Sequence, residues 1–171
     1  MKFNSSQLLV PVFTLGLLLS GCGGGGGDFQ NDPRASGRAA SVNVSGATDT
    51  SLNGLYATND VFLDDVEKVN PIGGEPETCR SRFSNLPKAG TAQIMDGEIR
   101  YIPGTTEARV TVVSISTIEF RLLGSTGAVV DRANNVMNLN NAVFTSTQVA
   151  GRSITMNGSI PIRAENKPEG C

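Results

Sequence analysis

The chain has 171 residues and is predicted to fold as an all-β domain, either a small antiparallel β-sandwich or a barrel. Short runs rich in β-branched residues recur along it, separated by turns rich in Gly and Asn. No segment sustains the 3.6-residue period of an amphipathic helix, and no internal repeat is visible. These observations are typical of a single domain built from many short strands.

The first strands are predicted from weak alternation at residues 41–45, from residues 55–63 as one or two strands, and from residues 78–83. In the last of these, Cys79, Ser81 and Phe83 share one face, because side chains alternate along a strand. Asp96-Gly97 precedes a strand at residues 98–102, and this dipeptide between apolar runs favours a β-hairpin turn.

The later strands are more regular. Residues 109–116 are rich in Val and Ile, and residues 117–123 place Ile118, Phe120 and Leu122 on one face. Pro161 indicates an edge or a bulge, because proline cannot donate to a strand ladder. Further strands are predicted at residues 128–132, 136–140, 141–147, 153–157 and 159–163.

The segment 59–69 is the best candidate for a helix, although we favour a strand followed by an acidic loop. Its carboxylates could bind Ca²⁺, or two of them could serve as the acid and nucleophile of a glycosidase. Their spacing matches no EF-hand, so we favour a solvated acidic loop, and we predict no metal and no cofactor. The weak metal candidates are Asp60, Asp64, Asp65 and Glu67.

The N-terminus carries an apolar run at residues 8–19, which is too short to span a bilayer but has the length of a signal-peptide core. The run ends in Leu19-Ser20-Gly21-Cys22, which resembles the lipobox of bacterial lipoproteins. The resemblance covers residues 1–22 and implies cleavage after Gly21, a diacylglyceryl group on the Cys22 thiol and acylation of the new amino terminus. A plain secretory signal with a chance cysteine is the alternative.

The resemblance also bears on location. In relatives of the lipobox family, Asp directly after the cysteine favours retention in the inner membrane, whereas Gly23 stands there in this chain. The outer membrane is therefore favoured over the inner membrane, within the bacterial envelope.

Five glycines follow Cys22, and residues 28–41 are polar. Such a composition buries too little apolar surface to become ordered, which predicts a flexible tether. The glycines lack the preceding strand and the Gly-Lys-Ser/Thr of a phosphate-binding loop. The predicted organisation is a signal peptide at 1–21, a lipidated tether at 22–41 and a β domain at 42–171.

With Cys22 assigned to lipid, Cys79 and Cys171 remain as a pair in an exported protein, and a disulfide is predicted because the envelope is oxidising. A metal site or a catalytic thiol is a poor alternative. The chain contains no His, the commonest partner in both kinds of site.

The composition excludes several functions. Without His, neither Ser-His-Asp nor Cys-His catalysis is available, and a net charge of −2 gives no basic excess for nucleic acid. The chain has no Trp, and its phenylalanines are predicted to lie in the core, which leaves an exposed Tyr101 beside Arg100 as a weak ligand platform.

Three functions remain. A non-catalytic envelope protein that contacts the membrane through its lipid, and another envelope protein through its β domain, is favoured. A carrier or chaperone for an apolar ligand in a small barrel is the first alternative, and an unrecognised enzyme is the second.

Overall fold

The computed structural model describes residues 32–70 and 76–171. Within them the chain is almost entirely β-structure, as predicted, and the antiparallel sheet curls into a half-barrel. Its strands are β1 (Ala40–Ser45), β2 (Gly54–Thr58), β3 (Phe62–Leu63), β4 (Glu67–Val69), β5 (Thr78–Pro87), β6 (Ile94–Tyr101), β7 (Ala108–Ile115), β8 (Ile118–Leu123), β9 (Ala128–Asp131), β10 (Val136–Ser146) and β11 (Ser153–Pro161).

The strands follow the order β2-β1-β11-β10-β8-β7-β6-β5-β3, with β4 paired to β5 and β9 paired to β10. A 3-10 turn at Thr50–Leu52 joins β1 to β2. The two ends of the sheet approach each other where Tyr56 of β2 forms a bridge with Lys88, next to the end of β5. The Ala89 amide also donates to the Leu55 carbonyl at 3.0 Å. These contacts bend the sheet around one interior.

Large side chains fill the concave face. The alternation along β8 buries Phe120 and Leu122 and exposes Arg121 and Leu123, and the same period runs through β1 and β10. The largest side chains exposed by less than 2% are Tyr56, Leu63, Leu86, Met95, Ile99, Tyr101, Ile115, Phe120, Met137, Phe144, Ile154 and Met156. The convex face is therefore the one that presents polar and charged side chains to solvent.

The predicted hairpin at Asp96-Gly97 was wrong, because both residues lie inside β6. Gly97 pairs with Phe83 on β5 and with Val113 on β7. The ring of Phe83 occupies the space that a side chain at Gly97 would need. The turn between β5 and β6 instead spans residues 88–93, where the Lys88 amide donates to the Gln93 carbonyl at 2.8 Å.

Two pairs of predicted strands are each continuous. Residues 136–140 and 141–147 join in β10, and the register slips between Leu139 and Ala142 at a bulge. Residues 153–157 and 159–163 join in β11 through Gly158, which has φ +137°. A Cβ there would lie 2.1 Å from the Ser41 carbonyl oxygen, so the close approach of β1 requires glycine.

The acidic segment forms β3 and β4 and no α-helix, which agrees with the strand that was favoured for residues 59–69. Pro161 ends β11 beyond the last residue that pairs with β1, so its missing N–H removes no bond from that ladder.

The segment before β1, residues 32–39, was assigned to the predicted tether and contacts the domain in the structure. The Arg38 guanidinium donates to the main-chain carbonyls of Asn134 (2.9 Å), Asn135 (2.9 Å) and Ile162 (2.8 Å). Charge-assisted bonds to carbonyls far along the chain supply order that local composition does not reveal. Residues 22–31 of the predicted tether lie outside the described residues.

Other arginines also donate to main-chain carbonyls of distant segments. This role gives a physical reason for the ten Arg among the 14 basic residues. Arg163 donates to the carbonyls of Leu63 (2.7 Å) and Pro33 (2.9 Å). Arg132 donates to the carbonyl of Gly170 at 2.8 Å. A guanidinium presents several donors in one plane, so one arginine can join segments that a lysine ammonium could not hold as well.

Candidate interaction site on the outer face of the sheet

A row of side chains crosses the convex face at matched register positions. Arg82 on β5 pairs with Glu98 on β6, which pairs with Val112 on β7, then with Arg121 on β8 and Thr145 on β10. Directly opposite residues on neighbouring strands are close enough for their side chains to interact. The row therefore forms a continuous strip of the surface, carried by the central strands of the sheet.

Glu98 is the acidic centre of this row, with a side chain that is 19% exposed. Its carboxylate accepts hydrogen bonds from Arg82 Nε at 3.1 Å and from Arg100 Nε at 2.5 Å. Burial on its own would raise the pKa of Glu98, but the hydrogen bonds from Arg100 and Arg82 outweigh it and hold the pKa below its ordinary value. One carboxylate thus serves two guanidiniums.

A second row lies beside the first and is more apolar. Arg100 pairs with Val110 on β7, which pairs with Leu123 on β8. Leu123 is 69% exposed, and Val143 on β10 is 53% exposed. Val143 lies two residues before Thr145, the residue that pairs with Arg121, and it faces outward on the strand next to β8. Two of the most exposed large apolar side chains therefore lie on neighbouring strands of one face.

The two rows enclose a cleft of about 210 Å³ that is lined by Glu98, Arg100, Val110, Val112, Arg121 and Leu123. We call the surface formed by Arg100, Val110, Val112, Arg121, Leu123 and Val143 the arginine–aliphatic patch. A larger cleft of about 370 Å³ adjoins it, shares Glu98 and Val112 and continues towards Arg34 and Asp64.

Arg121 differs from the other arginines of this face. Arg82 and Arg100 bind Glu98, and Arg80 forms an ion pair with Glu67. Among the described residues, Arg121 has neither an ion pair nor a side-chain hydrogen bond. Arg121 lines the same cleft as Leu123, the most exposed of the described leucines, and its guanidinium donates no hydrogen bond to another described residue.

Three of the four acidic residues considered for metal binding, Asp60, Asp65 and Glu67, make separate structural contacts. Asp60 Oδ1 accepts hydrogen bonds from the amides of Ser36 at 2.8 Å and Gly37 at 2.7 Å. Those bonds hold the segment before β1 in place. The carboxylate therefore organises a turn.

The other three carboxylates do not converge with Asp60. Asp65 lies 3.4 Å from Arg163, and Glu67 pairs with Arg80. Asp64 is one of the residues that line the larger cleft. Within residues 32–70 and 76–171, no group of three or more His, Cys, Asp or Glu side chains is arranged to hold a metal ion.

The predicted pairing of Cys79 with Cys171 is present as a disulfide between Cα atoms 5.7 Å apart. Cys171 is anchored further, because its carbonyl oxygen accepts from the Tyr101 hydroxyl and from Lys167 Nζ, both at 3.1 Å. The expectation of an exposed Tyr101 was wrong, since the side chain is 1% exposed. Burial raises the pKa of Tyr101 to about 12, although nearby Arg132 opposes the shift.

The other aromatic side chains of the described chain are also in the core. Phe83, Phe120 and Phe144 are at most 3% exposed, and Phe62 is 7% exposed. The prediction that the phenylalanines are core residues is confirmed. The described aromatic side chains therefore offer no flat surface for stacking a sugar or a base.

Leu19, Ser20, Gly21 and Cys22 lie outside the described residues, so the lipobox stays a prediction. In the part of the chain that the structure describes, no helix has the length and apolar character needed to cross a membrane.

Comparison of the chain with protein-family models, with curated proteins and with solved structures finds no match. The function must therefore be argued from the residues themselves.

The sequence reasoning missed the arginine–aliphatic patch, although two signals for it were present. Leu122 and Leu123 are adjacent, so one of them must face outward in a strand. The choice of Leu122 for the inner face already placed Leu123 outside with Arg121. Val143 could not be assigned in this way, because the bulge at Asn141 shifts the alternation of β10.

Proposed function

We propose that this chain is a bacterial envelope lipoprotein, anchored by lipid on Cys22, whose β domain binds another protein through the arginine–aliphatic patch and performs no catalysis. The observation that carries the proposal is the exposed Leu123 beside Arg121 on a central strand. Exposed apolar side chains grouped with arginine are typical of protein interfaces. Rigid central strands present them in a fixed arrangement.

Several features favour binding over the alternatives. A carrier needs an apolar interior larger than its own core requires, whereas large side chains fill the concave face of this sheet. An enzyme needs convergent acid, base or nucleophilic groups, and the chain contains no His. The carboxylates of Asp60, Asp65 and Glu67, which were considered for chemistry, make structural contacts.

The proposed lipid anchor would hold the arginine–aliphatic patch close to a membrane. Gly23 after the cysteine favours the outer membrane, by the resemblance to the lipobox family. Ten residues, 22–31, separate the lipid from the first described residue, and a fully extended chain spans at most about 3.3–3.6 Å per residue. The patch would therefore meet partners within tens of ångströms of the membrane surface.

The anchor is tested by expressing the full chain in a bacterial host with an alkyne analogue of palmitate. We expect label on the wild-type chain and a mass corresponding to cleavage before Cys22. The Cys22→Ala variant should carry no label. Equal labelling of both proteins, or cleavage at another position, would reject the lipoprotein assignment.

The binding role is tested by placing a photo-crosslinking amino acid at Leu123 in the full lipidated chain, with Asn43 as a matched control. Asn43 is an exposed residue of β1 on the same convex face, three strand spacings away. We expect a discrete adduct with another envelope protein from Leu123 and none from Asn43. The proposed role is rejected if neither position gives an adduct in correctly lipidated protein.

A further inference from the structure

We infer that the arginine–aliphatic patch recognises a protein segment that presents an aliphatic side chain next to a carboxylate. The inference rests on the proposed function and adds the chemistry of the partner. The aliphatic side chain would occupy the cleft between Val110, Val112 and Leu123, and the carboxylate would bind Arg121.

The charge of the patch indicates that the partner presents an acidic group. Arg100 shares the Glu98 carboxylate with Arg82, and Arg121 has no carboxylate partner within the described chain. Glu119 also faces outward on β8, but its carboxylate accepts from the Thr147 hydroxyl at 2.8 Å and forms no ion pair with Arg121. The Arg121 guanidinium is therefore the charged group of the patch that remains to bind a ligand. A guanidinium binds a carboxylate through two parallel hydrogen bonds, which makes an acidic group the complementary ligand.

The spacing of the patch indicates that one segment of the partner presents both the aliphatic and the acidic group. Arg121 and Leu123 are two positions apart on β8 and both point outward, which separates them by roughly 7 Å along the strand. Side chains two positions apart in an extended segment lie on one face and are also roughly 7 Å apart, so they can place an aliphatic and an acidic group over that distance. Both groups of the partner must be present for both parts of the patch to be covered.

The same contacts disfavour two other occupants. A membrane surface would find Glu98 between the arginines and no described aromatic side chain on this face, whereas interfacial surfaces favour Trp, Tyr and clustered basic residues. If a second copy docked patch to patch, the Arg121 guanidiniums of the two copies would lie near each other. Like charges across an interface oppose association.

The test uses the full lipidated chain in zwitterionic nanodiscs and two fluorescent, capped five-residue peptides. One peptide carries leucine, aspartate and leucine at positions 1, 3 and 5 with serine between them, so that these three side chains share one face when extended, and in the other peptide lysine replaces the aspartate. We expect anisotropy titrations to give the acidic peptide an affinity at least about tenfold higher, the factor that one charge-assisted hydrogen bond of about 1.4 kcal/mol supplies. The Arg121→Glu variant should reverse the preference.

A matched control is Arg152→Glu, since Arg152 lies in the loop before β11, outside the patch. This variant should keep the preference for the acidic peptide. Leu123→Ser should weaken binding of both peptides, because it removes the apolar contact and leaves Arg121 in place.

Equal affinity for the two peptides, or a preference that survives Arg121→Glu, would overturn the inference. Two further results would replace it: binding of the domain to anionic vesicles that Arg121→Glu abolishes, or dimers in analytical ultracentrifugation that the same variant dissociates. The crosslinking at Leu123 is independent of these measurements. An adduct there without peptide selectivity would reject the partner chemistry and leave the binding role standing.

Discussion

The ring of Phe83 on β5 lies against the backbone of Gly97 on β6, at the same register position of the sheet. A Cβ at position 97 would approach two ring carbons to 2.6 Å and the Val112 carbonyl oxygen to 2.5 Å. The glycine is thus required by packing, since its φ lies outside the left-handed region. The ring shields a part of the strand that carries Glu98 and Asp96 on its outer face.

Gly97→Ala should lower the free energy of unfolding by about 3 kcal/mol, the upper end of the cost of overpacking a core. Urea denaturation monitored by circular dichroism measures it. Gly104→Ala is the control, because Gly104 has φ +78° with open space around it, and its cost should be about 1 kcal/mol. Combining Gly97→Ala with Phe83→Leu should cost less than the sum of the single changes, and strict additivity would contradict the steric account.

The disulfide should stabilise the domain, because it links positions 92 residues apart and restricts the unfolded chain. Replacing Cys79 and Cys171 together by Ala should lower the free energy of unfolding by about 2–5 kcal/mol. Wild-type protein unfolded in reductant should show the same loss. Cys22→Ala alone should keep the full sensitivity to reductant, and an equal midpoint with and without reductant would count against the effect.

The two tyrosines predict a loss of stability at high pH. Burial raises the pKa values of Tyr56 and Tyr101 to about 12 in the folded chain. A group with a raised folded pKa contributes stability that is complete below its unfolded pKa of about 10 and is lost as pH rises towards about 12. We expect the free energy of unfolding to fall across this window, measured by urea titration at successive pH values.

The variant Tyr101→Phe separates the two contributions to this slope. It removes one titrating group, so the dependence on pH should be about half as steep, while the lost hydrogen bond to Cys171 lowers stability by about 1 kcal/mol at neutral pH. Ultraviolet difference absorbance follows the phenolates directly. Ionisation of both tyrosines near their ordinary pKa in protein that stays folded would refute the assignment.

The hydrogen bonds of Arg38 predict that lysine cannot replace arginine at this position. Its three bonds to main-chain carbonyls require a planar, branched donor, so Arg38→Lys should lower the free energy of unfolding by about 1–3 kcal/mol although the charge is kept. Hydrogen exchange should also accelerate at the amides before β1. Arg152→Lys is the control and should change stability by less than about 0.5 kcal/mol, since its side chain makes no hydrogen bond within the described residues. Equal effects at both positions would rule out a special role for Arg38.

The sequence predicted most strands correctly because the alternation of buried and exposed side chains is a local signal. The pattern of β8 alone placed Phe120 and Leu122 inside, and β8 buries both. The failures came from contacts that are distant along the chain. The Phe83 ring leaves no room for a side chain at position 97, which explains the glycine there. The local sequence does not show this contact, so Asp96-Gly97 was interpreted as a hairpin turn.

The candidate site was less predictable than the fold. Arg121 and Leu123 can be placed on one face from β8 alone. That Arg121 has no ion pair depends on tertiary contacts, because the Glu98 carboxylate binds Arg82 and Arg100 and the Glu67 carboxylate binds Arg80. The order of residues 32–41 similarly depends on carbonyls near Asn135 and Ile162, which lie about a hundred positions from Arg38. Such pairings are set by the curl of the sheet and leave no trace in local composition.

The hydrogen bonds around Arg38 have a mechanical consequence. A pull on the N-terminal segment would load the bonds of Pro33 and Ser36 first, then the Arg38 guanidinium, and then β1, which is bonded to β2 on one side and to β11 on the other. Bonds along both edges of a strand share a lengthwise load and break together, whereas an edge strand peels one bond at a time. A domain held by its N-terminus to a moving surface would therefore resist tension at the point where it is attached.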